Sequence, residues 1–272
     1  MSDTINDTKP RPAFGKISFR NRFVNVFLPP TVLVALILVL WELGSITGLL
    51  NPIIVPSPIA VVQALADLST QAFFWDAASV TMRETIYGFL IGASIAWILG
   101  TLMGLSDRTR AALYPVTVGF QIMPRVALAP LFLVWFGFGI ESKVVMAATI
   151  CFFPVVLSVL VGLETVDQDY KTFFRSIGSS RWDEYRKLVV PSSLPVLFSG
   201  LKNAITLALI GAIVAEFVGA SEGMGVLIKK FNFQLEVAYG FATIVALMLF
   251  GLILYWIFEF LDNRIVFWRS RK

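Results

Sequence analysis

Histidine is absent from the 272 residues, and cysteine occurs once, at Cys151. Without imidazole there is no His-based catalytic triad, no histidine proton relay and no Cys/His zinc site, and a single thiol closes no intrachain disulfide. Charge is scarce as well: Asp, Glu, Lys and Arg make up 15% of the chain against 57% hydrophobic residues, and mean hydropathy is +0.79. A soluble domain carries roughly 25% charged residues, so this chain lacks the polar groups to cover a water-facing surface. It reads as an integral membrane protein. The phosphate loop G-x-x-x-x-G-K-[ST] is missing too, since Gly15-Lys16 is followed by Ile17 and no glycine precedes it at the required spacing. If ATP drives this protein, a separate subunit binds it. No cofactor, no metal and no nucleic-acid partner is expected, and the lipid bilayer is the immediate surrounding.

Long apolar runs, by contrast, are plentiful. Crossing the hydrocarbon core takes about 20 apolar residues as a helix, and six stretches qualify, near 26–49, 81–105, 112–136, 143–163, 195–219 and 237–261. The 52–68 stretch holds Pro52, Pro56 and Pro58, then places Ile59, Val62, Leu65 and Leu68 on one side; it reads as an interfacial helix. Residues 1–25 are polar, with Lys9, Arg11, Lys16, Arg20 and Arg22, and lack a cleavable-signal pattern, so the first span is expected to be a retained anchor. Adding Arg108 and Arg110, then Lys171, Arg175, Arg181, Arg186 and Lys187, then Arg264, Arg269, Arg271 and Lys272, one side of a six-span chain holds 16 of the 22 basic residues. The positive-inside rule then predicts that the 1–25 and 264–272 tails and the 164–194 connection are cytoplasmic.

Gly88, Gly92, Ala96, Gly100 and Gly104 recur every four residues along the second span, and Gly211, Ala215 and Gly219 along the fifth. Such stripes admit a neighbouring backbone, either within one subunit or at a seam between two. Ionisable residues inside a span are functional candidates. Arg125 falls near the middle of the third span between Pro124 and Pro130, which should loosen that helix. A guanidinium there suits an anionic or carbonyl-bearing solute, or it pairs with Glu216 in the fifth span. Gln121, Trp135 and Phe136 are further candidates to line a path, although aromatics near a span end also serve as belt anchors. Glu42 and Glu259 are expected at the interface, and Cys151 has no assigned role.

The 164–194 connection is far longer than the 2–8 residues common between helices. Val166, Tyr170, Phe173, Phe174 and Ile177 follow one helical face, and Gly178 stands where a left-handed C-terminal residue belongs. Ser180 with Asp183 starts a second helix, carrying Trp182, Tyr185, Leu188 and Val189 and expected to end at Pro191. The spacing from Gly178 to Leu188, Val190 and Pro191 resembles the E-A-A-x3-G-x9-I-x-L-P loop of ABC-importer permeases. VPSPIAVVQAL, MPRVALAPLFLVWFGFG, PSSLPVLFSGLKNAITLAL, AEFVGASEGMGVLI and the Asp262–Trp268 stretch are similar to the nitrate/sulfonate/taurine branch of that superfamily, in order from about residue 28 to 268.

The resemblance implies an all-α, type I importer permease of six spans, working as a homodimer with two cytoplasmic ABC ATPase subunits and a periplasmic solute-binding protein in a bacterial inner membrane. It implies that Lys171, Thr172, Phe173, Phe174, Arg175, Gly178, Ser180, Arg181, Trp182 and Pro191 belong to the ATPase-coupling loop. Thr172-Phe173-Phe174 replace Glu-Ala-Ala, so the docking contact is expected to lean on the two Phe rings, with Lys171 and Arg175 beside them; the alternative is that both rings pack under the membrane helices. The solutes of similar permeases include sulfonates, taurine, nitrate, aromatic acids and pyrimidine vitamin precursors. The rival reading is an ion- or proton-coupled secondary transporter, which would need no such loop; a membrane-embedded enzyme would need a nucleophile–base pair, and none is visible.

Overall fold

The computed structural model describes residues 19–268, and every regular element among them is helical. In order these are α1 (Phe19–Ile46), α2 (Pro58–Thr70), α3 (Ala72–Leu105), α4 (Asp107–Ile122), a 3-10 turn (Arg125–Leu128), α5 (Ala129–Phe136), α6 (Ile140–Glu164), α7 (Gln168–Ser176), α8 (Arg181–Glu184), a π segment (Tyr185–Val189), α9 (Val190–Gly219), α10 (Met224–Phe233) and α11 (Val237–Ile265). The basic residues Lys9, Arg11 and Lys16 of the N-terminal tail, and Arg269, Arg271 and Lys272 of the C-terminal one, lie outside the described residues.

The centre of the molecule is α6, clamped between α3 and α9. The small-residue stripe on α3 makes that clamp possible. Ala96 is fully buried. A β-carbon on Gly92 would fall 2.6 Å from the Cys151 sulfur, and one on Gly100 2.8 Å from Val159. Gly88 likewise abuts Ala147, and Gly104 abuts Leu163. On the other flank of α6, Gly211 of α9 faces the Ala147 backbone and Gly162 of α6 faces Ser193. In lipid there is no hydrophobic drive between helices, so close backbone approach and dispersion supply the association. The stripe packs within the chain, not at a seam between two chains. Cys151 is part of the same contact: it is buried and its thiol points at the Gly88 carbonyl, 3.7 Å away.

Among the described residues four helices are long and apolar enough to span a bilayer: α3, α6, the unbroken Arg181–Gly219 helix and α11. The stretch expected as one span over 112–136 is instead two helices, α4 and α5, bent by 86° across a short break. Met123 is extended before Pro124, as the residue ahead of a proline is driven to be, and Pro124 has no N–H to continue the ladder. Pro130 does not loosen a helix; it sits in the first turn of α5, where a missing N–H is harmless. Pro191 likewise does not end a helix. It occupies the first turn of α9 directly after the π segment, so the coupling segment runs on into the fifth span. The second span begins at Ala72, earlier than residue 81.

The interfacial segment is a helix, α2, started by Ser57, whose side chain accepts from the Ala60 N–H at 3.1 Å. Its buried stripe is Val61, Ala64 and Leu68, packed with α10 and α11, while Ile59 and Val62 are exposed. The expected face is therefore rotated, because α11 approaches from the side of Val61. Glu42 on α1 accepts from the Ile59 N–H at this junction.

Candidate functional site

Three constellations carry the polar chemistry. The first is the 164–194 connection. Asp167 caps α7 by accepting from the Asp169 N–H. Gly178 follows α7 at φ 76°, a left-handed conformation that costs other residues roughly 1–2 kcal/mol. Ser180 caps α8 through the Asp183 N–H at 3.1 Å, and its hydroxyl donates to the Asp183 carboxylate at 2.7 Å. The Lys187 ammonium lies 2.7 Å from the same carboxylate, one turn on. Arg175 of α7 reaches back to Glu184 of α8 at 3.3 Å, tying the two short helices together across the glycine. Tyr170, Phe173 and Ile177 form one stripe of α7 and are 62%, 58% and 62% exposed; Trp182 on α8 is 65% exposed. Phe174, Thr172 and Lys171 lie on the flanks and back of α7, with Phe174 half-buried.

The second constellation is the α4–α5 break. Arg125 opens the 3-10 turn. Its guanidinium donates to the Ile150 carbonyl at 3.3 Å and the Gln121 carbonyl at 3.4 Å, and lies 4.5 Å from the centre of the Phe153 ring. No carboxylate pairs with it among the described residues. Gln121 is exposed beside the break, while Trp135 and Phe136 are exposed at the far end of α5.

The expected Arg125–Glu216 pair does not form. Glu216 is fully buried on the other side of α9, against α3 and α10. It accepts from the Thr81 hydroxyl at 2.6 Å and from the Gly225 N–H at 2.5 Å, while the Thr81 hydroxyl also receives the Met224 N–H at 2.9 Å. The carboxylate thus occupies the N-terminus of α10, where unpaired N–H groups and the helix dipole favour negative charge. Gly223, at φ 114°, and Gly225 leave room for it: a β-carbon on Gly225 would lie 2.8 Å from Glu216 Oε2. The 86° break turns Arg125 toward α6, and the two charges face different neighbours.

Buried cations form the third constellation, and the residue pattern alone did not single them out. Lys143 is 1% exposed and donates to the Phe138, Gly139 and Gly219 carbonyls at 2.6, 3.0 and 2.9 Å, joining the loop after α5 to the end of α9. Lys202 in α9 pairs with Glu259 at 2.7 Å and Asp262 at 3.0 Å in α11, so Glu259 serves an ion pair and not simply the interface. An intramembrane charge was the available signal for Lys202 and for the buried Glu84.

Residues 88–267 match the family described as the binding-protein-dependent transport system inner membrane component. The chain is 34% identical over 250 residues to the formylaminopyrimidine transport permease protein ThiX of Halalkalibacterium halodurans, covering 90% of this chain and 97% of that one. It is 31% identical over 270 residues to the riboflavin transport system permease protein RibX of Chloroflexus aurantiacus, covering 99% and 100%. With the taurine transport system permease protein TauC of Escherichia coli the figures are 25% over 201 residues, 72% and 73%. The fold is similar to that of the MetNI methionine ABC transporter in its inward facing form, with a TM-score of 0.55, 18% identity, and coverage of 79% of this chain and 99% of that one. A phosphate loop is absent, the spans are helical, and the family match covers most of them: the chain belongs to the inner-membrane permease components of binding-protein-dependent ABC importers.

Proposed function

We propose that this chain, paired with a second copy, forms the pathway for a small nitrogen-heterocyclic or anionic solute handed over by a periplasmic binding protein. Two cytoplasmic ATPase subunits would drive it through the α7–α8 element, with both termini on the cytoplasmic side of a bacterial inner membrane. The observation that carries this reading is the outward apolar stripe of Tyr170, Phe173 and Ile177, with Trp182 beside it. Exposed apolar patches of this kind mark partner surfaces, and α7 is too short to bury its stripe in lipid while its other residues face water. ATP-driven closure of the partners would draw two such elements together, and the unbroken helix from Arg181 to Gly219 would transmit the shift into the bundle. The relatives named for a formylated pyrimidine and for riboflavin favour a flat, nitrogen-rich solute, and the Arg125 guanidinium, which has no carboxylate partner among the described residues, suits its carbonyl or anionic groups.

The test coexpresses the chain with its genomically adjacent ATPase and binding protein. Phe173→Asp places a charge in an apolar socket, at a cost of several kcal/mol, and is expected to abolish copurification of the ATPase while the permease still inserts. Arg125→Gln is expected to keep assembly intact and to reduce solute uptake at least tenfold in proteoliposomes. Wild-type ATPase capture by Phe173→Asp would reject the docking role, and wild-type uptake by Arg125→Gln would reject the arginine's place on the path.

A further inference from the structure

The back of α7 is as unusual as its front. Gln168, Lys171 and Arg175 fall at i, i+3 and i+7, on the side opposite the exposed apolar stripe. They line a cavity of about 360 Å³ closed by the ends of α3 and α6 and by α8, where Arg181 faces them. A surface helix ordinarily turns its apolar stripe inward; this one leaves the stripe in water, and its cations stand around the cavity, Arg175 still exposed and Lys171 half-buried. Like charges gathered around one cavity repel one another and favour an anion between them. Glu184 supplies one negative charge, to Arg175. Lys171 and Arg181 have no ion pair among the described residues, so the cavity carries an excess of two positive charges. The C-terminal ends of α3 and α6 draw cations to this level, but that does not account for a polar cavity of this size between them.

We propose that this cavity is a binding site for a phosphate-bearing anion, gripped by Lys171 and Arg175 from α7 and by Arg181 from α8. Arginine forks match phosphate oxygens in pairs, and lysine adds a compact point charge. The volume admits a phosphate with a glycerol-sized substituent, and the cavity lies at the ends of membrane-spanning helices, where an anionic lipid headgroup or a soluble phosphate can both reach it. Because the three cations flank Gly178 on both sides, a bound anion would brace α7 against α8 and set the angle at which the outer stripe is presented. That consequence rests on the docking reading; the binding itself does not.

The experiment uses the purified full chain in a neutral detergent, following its Tm against added dioctanoyl phosphatidylglycerol, dioctanoyl phosphatidylcholine or inorganic phosphate. A saturable rise with phosphatidylglycerol and none with phosphatidylcholine is expected. Each cation near an anionic partner contributes about fivefold in affinity, so Lys171→Gln with Arg181→Gln should weaken the response by roughly thirtyfold. Arg186→Gln, outside the cavity, should leave it unchanged, as should Phe173→Asp, whose failure concerns only docking. Should the double variant not purify, each single change, at about fivefold, makes the same comparison. A response to inorganic phosphate lost in the same variants would assign a soluble ligand instead of a lipid. An equal response to phosphatidylcholine, an undiminished response in the variants, or no response to either phosphate source would overturn the site.

Discussion

Replacing Lys202 by methionine is expected to destabilise the chain by about 3 kcal/mol, the range for removing one partner of a buried ion pair. The ammonium sits between two carboxylates, 2.7 Å from Glu259 and 3.0 Å from Asp262, and Asp262 is fully buried. Methionine fills the space but removes the α9 cation that Glu259 and Asp262, both on α11, share. Glu259 is 38% exposed and can turn toward water, which places the cost at the low end of that range. At roughly 2–4 °C per kcal/mol for a chain of this size, Tm in detergent should fall by about ten degrees. Neutralising the acids in the same background, with Asp262→Asn and Glu259→Gln, should recover most of the loss. An unchanged Tm in Lys202→Met would show that α9 and α11 are held together at this level by packing alone.

Glu216→Ala is expected to have a comparable effect by a different route. Its removal deprives the Gly225 N–H of its acceptor, leaves the Thr81 hydroxyl only the Ala77 carbonyl at 3.2 Å, and opens a cavity beside Gly223. Each unsatisfied buried donor costs about 1–3 kcal/mol, and the cavity adds to it, for a total of about 3–5 kcal/mol. α10 should then unseat from α3 and α9, read as accelerated amide exchange over 224–233. Glu216→Gln keeps one acceptor oxygen and should lose less. Because Arg125 faces Ile150 and Phe153 instead, combining Arg125→Gln with Glu216→Gln should be additive. Mutual rescue in that double variant would restore the direct pair and contradict the geometry around α10.

Much of the architecture is legible along the chain because it is written in local quantities. The apolar run at 143–163 answers to Ile140–Glu164 and that at 237–261 to Val237–Ile265, since hydropathy summed over about 20 residues is a property of the segment alone. The left-handed residue after α7 is equally local: Gly178 follows a helical stripe and precedes a Ser180 cap. The failures are where distant groups decide. The Ile59–Val62 face of α2 has helical period, yet the burying surface is α11, which meets Val61, Ala64 and Leu68. Lys143 stands at the head of a span in the sequence, and only folding brings Gly219, seventy-six positions on, to its ammonium.

By itself the sequence determined that this protein lives in a membrane, that it is built of helices, that it lacks the G-x-x-x-x-G-K-[ST] motif, and that a patterned segment interrupts the spans at 164–194. These follow from composition, spacing and missing motifs, none of which depends on what the chain touches. Tertiary structure alone decided that the third apolar stretch is bent by 86°, that Arg125 stacks on Phe153 while Glu216 holds α10, and that α7 turns Tyr170, Phe173 and Ile177 outward while Lys171 and Arg175 line a cavity on its other side. The reason is the medium. A buried charge in a low-dielectric bundle takes the nearest group that can compensate it, and which group is nearest is set by backbones that approach to within a glycine's width.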